Sequence, residues 1–171
     1  MATDLAVYGP FDVPYDTDPG TGRGKNIAQE HADAFWQDAA QNLAGKEGCW
    51  IFGLEAARSV MPWYVGKTTD RFKDACLSSS KLTLYNKIMK KSPRGKPVLY
   101  FVAPRGSSRS VPAASVGDLW VFLAQYALRR NDKIKSVQSF KSVPEWSITG
   151  LVRSGAKVPG EVRKFKKMLD M

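Results

Sequence analysis

Two periods of apolar residues alternate along the chain, and the changes between them mark its elements. Cys49-Trp50-Ile51-Phe52-Gly53-Leu54, preceded by Gly48, is an unbroken apolar run of strand length. Pro62-Trp63-Tyr64-Val65 is rich in residues that favour the pleated state and stops at Gly66-Lys67-Thr68. The stretch from Glu55 to Met61 exceeds what a tight hairpin needs, which predicts a loop between the two strands. Pro97-Val98-Leu99-Tyr100-Phe101-Val102-Ala103 is apolar throughout and predicts a central strand buried on both faces.

Helical spacing fills most of the remainder. Asn26 caps a helix to about Ala44, with Ala28, Ala32, Phe35, Trp36, Ala39 and Leu43 on one face and His31 at its margin as a packed or surface residue. After Thr69, Phe72, Ala75 and Cys76 mark a short helix with Asp70 in its first turn; Leu82, Tyr85 and Met89 align on another from Lys81 to about Lys90. Ser115 caps a long helix to Arg130, striped by Val116, Leu119, Trp120, Leu123 and Ala127. A last helix from Pro159 turns Val162, Phe165 and Leu169 inward and Arg163, Lys164, Lys166 and Lys167 outward. Residues 1–25, dense in Gly, Pro and Asp, read as an irregular arm. Residues 26–132 form the domain, with its core at 48–132, and residues 133–171 form a basic extension packed on it. The expected fold is α/β, of the α+β kind: a small, mainly antiparallel three-stranded sheet flanked by helices.

Charge sharpens this reading. The net +10 is uneven: residues 1–48 carry −5, residues 49–128 carry +8 and residues 129–171 carry +7. All but the start of the chain therefore attracts polyanions, nucleic acid foremost. No apolar run reaches the length of a membrane span, and the N-terminus lacks a basic-then-apolar block, so neither membrane nor secretion is expected. Cys49 and Cys76 with a single histidine make no zinc set of the usual kind; buried thiols in a reducing, cytoplasmic setting are expected.

The corner after Tyr64 is either an ordinary edge strand with a turn or the place where the chemistry gathers. Glycine lets the backbone come close to a ligand there, and the Tyr64 phenol and Lys67 ammonium supply donors. Gly48-Cys49-Trp50 followed by Tyr64-Val65-Gly66-Lys67-Thr68 resembles the paired signature of the GIY-YIG nuclease superfamily, across roughly Gly48 to Asp132. The order strand, strand, helix, helix, strand, long helix is similar too. That resemblance implies metal-assisted hydrolysis of nucleic-acid phosphodiesters, with DNA ahead of RNA as substrate. A tyrosine would handle the attacking water, an arginine the phosphate charge, and a glutamate a divalent metal.

Carried onto this chain, the resemblance makes Tyr64, Arg71, Lys73 and Tyr85 the catalytic candidates. Trp50, Lys67, Lys87, Arg105 and Arg109 are the nucleic-acid-binding candidates; the last two lie in a basic loop that either holds phosphates or is a solvated connection. The sequence departs from the pattern at three places, the first being that Arg71 comes earlier on its helix than the family spacing, which falls near Asp74. Trp50 replaces the first tyrosine, and an indole accepts no proton from water. The long helix contains no glutamate: Gln125 stands near the ligand position, leaving Asp118, or Glu145 beyond the helix, to bind Mg²⁺ or Mn²⁺ if the protein is catalytic. Two functions remain open, a divergent endonuclease and a non-catalytic module that binds nucleic acid or a protein through its basic surface.

Overall fold

The computed structural model describes residues 3–20, 24–108, 110–134, 146–148, 151 and 158–171. In chain order, β1 (Thr3–Asp12) leads to a two-stranded ribbon of β2 (Asp16–Thr17) and β3 (Lys25–Asn26), then α1 (Gln29–Gln37) and a 3-10 turn (Gln41–Leu43). The hairpin β4 (Gly48–Ala56) and β5 (Ser59–Thr68) follows, then α2 (Phe72–Ala75), α3 (Ser79–Lys91), β6 (Lys96–Pro104), α4 (Ala113–Arg130), β7 (Trp146–Ile148) and α5 (Gly160–Leu169). The expected strand–strand–helix–helix–strand–long helix order is present.

The main sheet runs β5-β4-β6-β1-β7. Four strands are antiparallel to their neighbours, and short β7 lies parallel to β1. The sheet is thus wider than the three strands expected, because residues 3–12 are not an irregular arm. A fully apolar β6 needs a partner on each edge; β4 takes one and β1 the other. The strand passes Gly9-Pro10 as a bulge, with Tyr8 opposite Phe101 and Phe11 opposite Leu99.

Alternation along β4 and β6 serves two cores. Ile51, Val98, Tyr100 and Val102 pack with α4 and α5 through Leu119, Leu123 and Phe165. Trp50, Phe52, Leu99 and Phe101 pack with α1, α2 and α3 through Phe35, Trp36, Phe72 and Tyr85. Strand β5 has a bulge at Trp63, since Phe52 pairs with Tyr64 and Gly53 with Pro62. The extra residue slips the phase, so that Val60 and Val65, an odd number of residues apart, both join the α4-side core.

Helix limits also move. Asn26 belongs to β3 and not to a cap; α1 starts after Ala28 and stops at Asp38, and a separate 3-10 turn buries Leu43. Helix α4 begins two residues before Ser115, behind Pro112, whose fixed φ suits a helix start. Asp70 precedes α2, its N–H donating to Thr68 Oγ1 at 3.0 Å. Helix α5 buries Val162, Phe165 and Leu169 as its spacing predicts, and Met168 with them.

The expected Glu55–Met61 loop is a tight turn. Ala57 and Arg58 alone join β4 to β5, with φ of 48° and 78°. A two-residue hairpin requires positive φ at both positions, normally supplied by Asn-Gly; without them the sequence gives no hairpin signal. Side chains strain this backbone. Replacing Ala57-Arg58 by Asn-Gly is expected to raise the stability by about 1 kcal/mol, read from urea unfolding; an unchanged or lower midpoint would contradict the turn geometry.

Candidate functional site

Strand β5 is the sheet's outer strand, and its free edge is partly closed by α4. Pro62 has no N–H to expose, its carbonyl accepts the Asn131 Nδ2–H at 2.8 Å, and the Val65 carbonyl accepts Trp120 Nε1–H at 2.9 Å. Beside this edge lies a groove of about 490 Å³. Trp63, Tyr64 and Val65 come from β5, Leu84, Lys87, Ile88 and Lys91 from α3, and Trp120, Ala124, Lys133 and Ile134 from α4 and the residues after it. Three lysines line it, and no carboxylate does.

Each aromatic of the groove has an ammonium over its ring. Lys81 Nζ stands 4.7 Å from the Tyr64 centroid, Lys67 Nζ 4.8 Å from that of Trp120, and Lys133 Nζ 5.9 Å from that of Trp63. The rings draw the cations by their negative faces and hold them along the groove. Trp63, Tyr64 and Trp120 are half-buried, so they keep surface for a ligand.

Behind Tyr64 the structure closes. The Trp50 indole is buried and donates from Nε1 to the Tyr85 hydroxyl at 2.8 Å; that hydroxyl donates to the Cys76 carbonyl at 3.0 Å. Tyr85 stacks on Phe52 with centroids 4.0 Å apart and meets Tyr64 edge-on at 6.0 Å. Gly66 faces Trp50 across the hairpin, and a β-carbon on Gly66 would overlap the indole. Glycine is required there by the ring and not by a ligand.

These contacts correct two expectations. Tyr85 does not reach a cleft: burial, above all, pushes its phenol well above the ordinary tyrosine range, and its oxygen is engaged twice. Trp50 is likewise sealed and offers nothing to a nucleic acid. Helical spacing placed Tyr85 on the correct face, but that face is interior.

The remaining candidates do not share one site. Arg71, ahead of α2, is exposed and paired with Asp74 at 2.7 Å; it lines a different cleft with Tyr8, Gln41, Lys46, Gly106 and Ser107. Lys73 is exposed on α2 and does not line the Tyr64 groove. Arg105 sits 3.8 Å from Asp4, and its loop is clasped by Lys46, whose Nζ donates to the carbonyls of Pro104, Gly106 and Ser108. Arg109 and Glu145 lie outside the described residues. Lys67 and Lys87 do flank the Tyr64 groove, one over Trp120 and one in its lining.

Asp118 is partly exposed on α4, two residues before Trp120, about 200° round the helix from the residue that faces the groove. A hard divalent ion needs several oxygen ligands together, and the groove offers no carboxylate, so Mg²⁺ or Mn²⁺ does not fit there. Among the described residues, the one set of three potential ligands is Asp16, Glu30 and His31, with ligand atoms within 4.8 Å. His31 Nδ1 accepts the Ala28 N–H, and its Nε2 lies 3.4 Å from the Asp16 carboxylate. None of the three lines the groove. No helix among the described residues is long and apolar enough to cross a membrane.

Sequence reasoning missed Trp63, Lys81, Lys91, Trp120 and Lys133. The spacing of Lys87 and Lys91, one helical turn apart, was a usable signal; Trp120 was hidden within an apolar stripe, at whose margin it stands half-buried. Comparison of the chain with protein-family models, curated proteins and solved structures finds no match in any of the three.

The Trp50–Tyr85 bond is testable by a double-mutant cycle. Trp50→Phe or Tyr85→Phe alone is expected to cost about 1–3 kcal/mol in urea unfolding, since each strands a buried polar partner. The double variant is expected to cost less than the sum; strict additivity would show that the bond contributes nothing.

Proposed function

We propose that the protein is a nucleic-acid-binding module that takes unpaired bases onto the aromatics of the β5-edge groove. The observation that carries this reading is the alternation of Trp63, Tyr64 and Trp120 with Lys67, Lys81, Lys87, Lys91 and Lys133, free of acids along the groove lining. Base faces stack on exposed aromatics regardless of sequence, and ammonium groups meet the phosphates on either side. A duplex presents its bases only at their edges, so the groove favours single strands. The chain-wide net charge of +10 supplies the long-range attraction.

The element order and the Tyr64-Val65-Gly66-Lys67 corner support derivation from a GIY-YIG-like scaffold. The chemistry supports binding over cleavage. The Trp50 and Tyr85 positions are locked together inside, and neither Asp118 nor any other carboxylate lines the groove. A divergent metal-dependent endonuclease is the second reading, favoured by the half-exposed Tyr64 phenol at the groove.

Incubation with plasmid, single-stranded DNA and RNA, with Mg²⁺, Mn²⁺ or EDTA, separates the two. Salt-sensitive binding to single strands without scission is expected. Replacing Lys87, Lys91 and Lys133 by Ala is expected to lower the slope of log K against log salt by about 2. Trp63→Ala is expected to cost about 1–3 kcal/mol of binding. Metal-dependent scission that disappears in Tyr64→Phe would instead establish the endonuclease; neither binding nor scission would end both readings.

A further inference from the structure

Tyr100 lies in the middle of β6 with its side chain buried, and its hydroxyl has no hydrogen-bond partner. Burial removes water from a phenol oxygen that both donates and accepts, so a sealed and unanswered hydroxyl is uncommon in a folded protein. The Tyr100 side chain lines a cavity of about 240 Å³, shared with the β4–β5 turn and α5. That space is several times the ~30 Å³ that one water occupies in the liquid.

The charged lining is one-sided. Arg58, Lys164 and Lys167 stand against a single acid, Glu55. Lys164 and Lys167, three residues apart on α5, share one helix face. Arg58 occupies the turn position with φ of 78°, where glycine would be unstrained, and the turn delivers its side chain to this cavity. The cavity has no residue in common with the Tyr64 groove.

We propose that this cavity binds a phosphate group, as the free anion or as a phosphomonoester. The Arg58 guanidinium and the two ammonium groups balance the ligand charge, and the guanidinium fork matches two phosphate oxygens. The Tyr100 hydroxyl donates to a third. Burial, with Glu55 second, raises the phenol's pKa, which keeps that donor protonated across the neutral range. Glu55 fixes the specificity. Its carboxylate accepts a hydrogen bond from the P–OH of hydrogen phosphate, or of a phosphomonoester bound as its monoanion, whose second pKa is about 6, whereas sulfate has no such proton and is repelled by Glu55. The site therefore distinguishes two oxyanions of similar size. This inference stands independently of the nucleic-acid reading.

Titration calorimetry of the whole protein at low ionic strength tests it, with inorganic phosphate and sulfate as probes. Saturable phosphate binding is expected, with sulfate about tenfold weaker or more. Arg58→Gly, which eases the turn and so keeps the fold, is expected to weaken phosphate about tenfold. Glu55→Gln is expected to narrow the gap by strengthening sulfate, and Tyr100→Phe to weaken phosphate without affecting that gap. A 5′-phosphorylated dinucleotide that competes with phosphate identifies the ligand as a monoester; one that does not compete identifies the free anion. Absence of saturable phosphate binding, equal binding of sulfate by the wild-type protein, or undiminished binding by Arg58→Gly would overturn the proposal. Arg58→Gly decides the matter if Tyr100→Phe does not fold.

Discussion

The indole of Trp50 lying across Gly66 and hydrogen-bonded to Tyr85 is the constraint on which the site depends. One ring fills the space that any side chain at position 66 would need, and its N–H finds a buried acceptor at 2.8 Å. The Tyr85 oxygen passes the chain of bonds to the Cys76 carbonyl at 3.0 Å, so hairpin, α2 and α3 are joined through a single polar thread inside hydrocarbon. Each member of that thread is answered, which is the condition under which buried polar groups are tolerated. Because Tyr85 and Trp50 take the interior, Tyr64 is left at the margin with one edge on Tyr85 and one face under Lys81.

The groove then follows from the bulge at Trp63. A regular strand would have sent Trp63 and Tyr64 to opposite faces; the extra residue lets both aromatics pack beside the α1–α3 core at the outer edge. Trp120 of α4 and Asn131 just after it donate to two carbonyls of that strand, which hinders addition of another strand and brings a third aromatic into place. The same devices that protect an edge strand from aggregation thus assemble an aromatic and cationic surface. The tight Ala57-Arg58 turn is comparable at the other end of the hairpin. It keeps a strained arginine where an unstrained glycine would serve the fold, beside the unpartnered hydroxyl of Tyr100.

Residue type revealed the order of elements well and their neighbours less well. Strand β6 was legible because seven consecutive apolar residues, from Pro97 to Ala103, admit no exposed face. The same fact demanded a strand on each side of it, and β1 was available in the Leu5 and Val7 alternation; Gly9-Pro10 concealed it by looking like a stop. The hairpin was hidden for the opposite reason, since Ala57-Arg58 lacks the residues that announce positive φ. Site residues divide similarly. Tyr64, Lys67 and Lys87 were legible from the corner and the helix spacing, whereas periodicity told which side of α3 carries Tyr85 without telling whether that side is a cleft. Asp118 was chosen as the one acid in its helix, and rotation about α4 separates it from Trp120.

The five tryptophans are native reporters of the central claim, that ligands meet the protein at the β5 edge while the interior behind it stays closed. The most direct measurement is the shift of their indole N–H resonances as a short single-stranded oligonucleotide is titrated into isotope-labelled protein. The Trp63 and Trp120 signals are predicted to move together and saturate, with Trp50 and Trp36 unperturbed. Stationary Trp63 and Trp120 signals at saturating oligonucleotide, or a moving Trp50, would contradict the account.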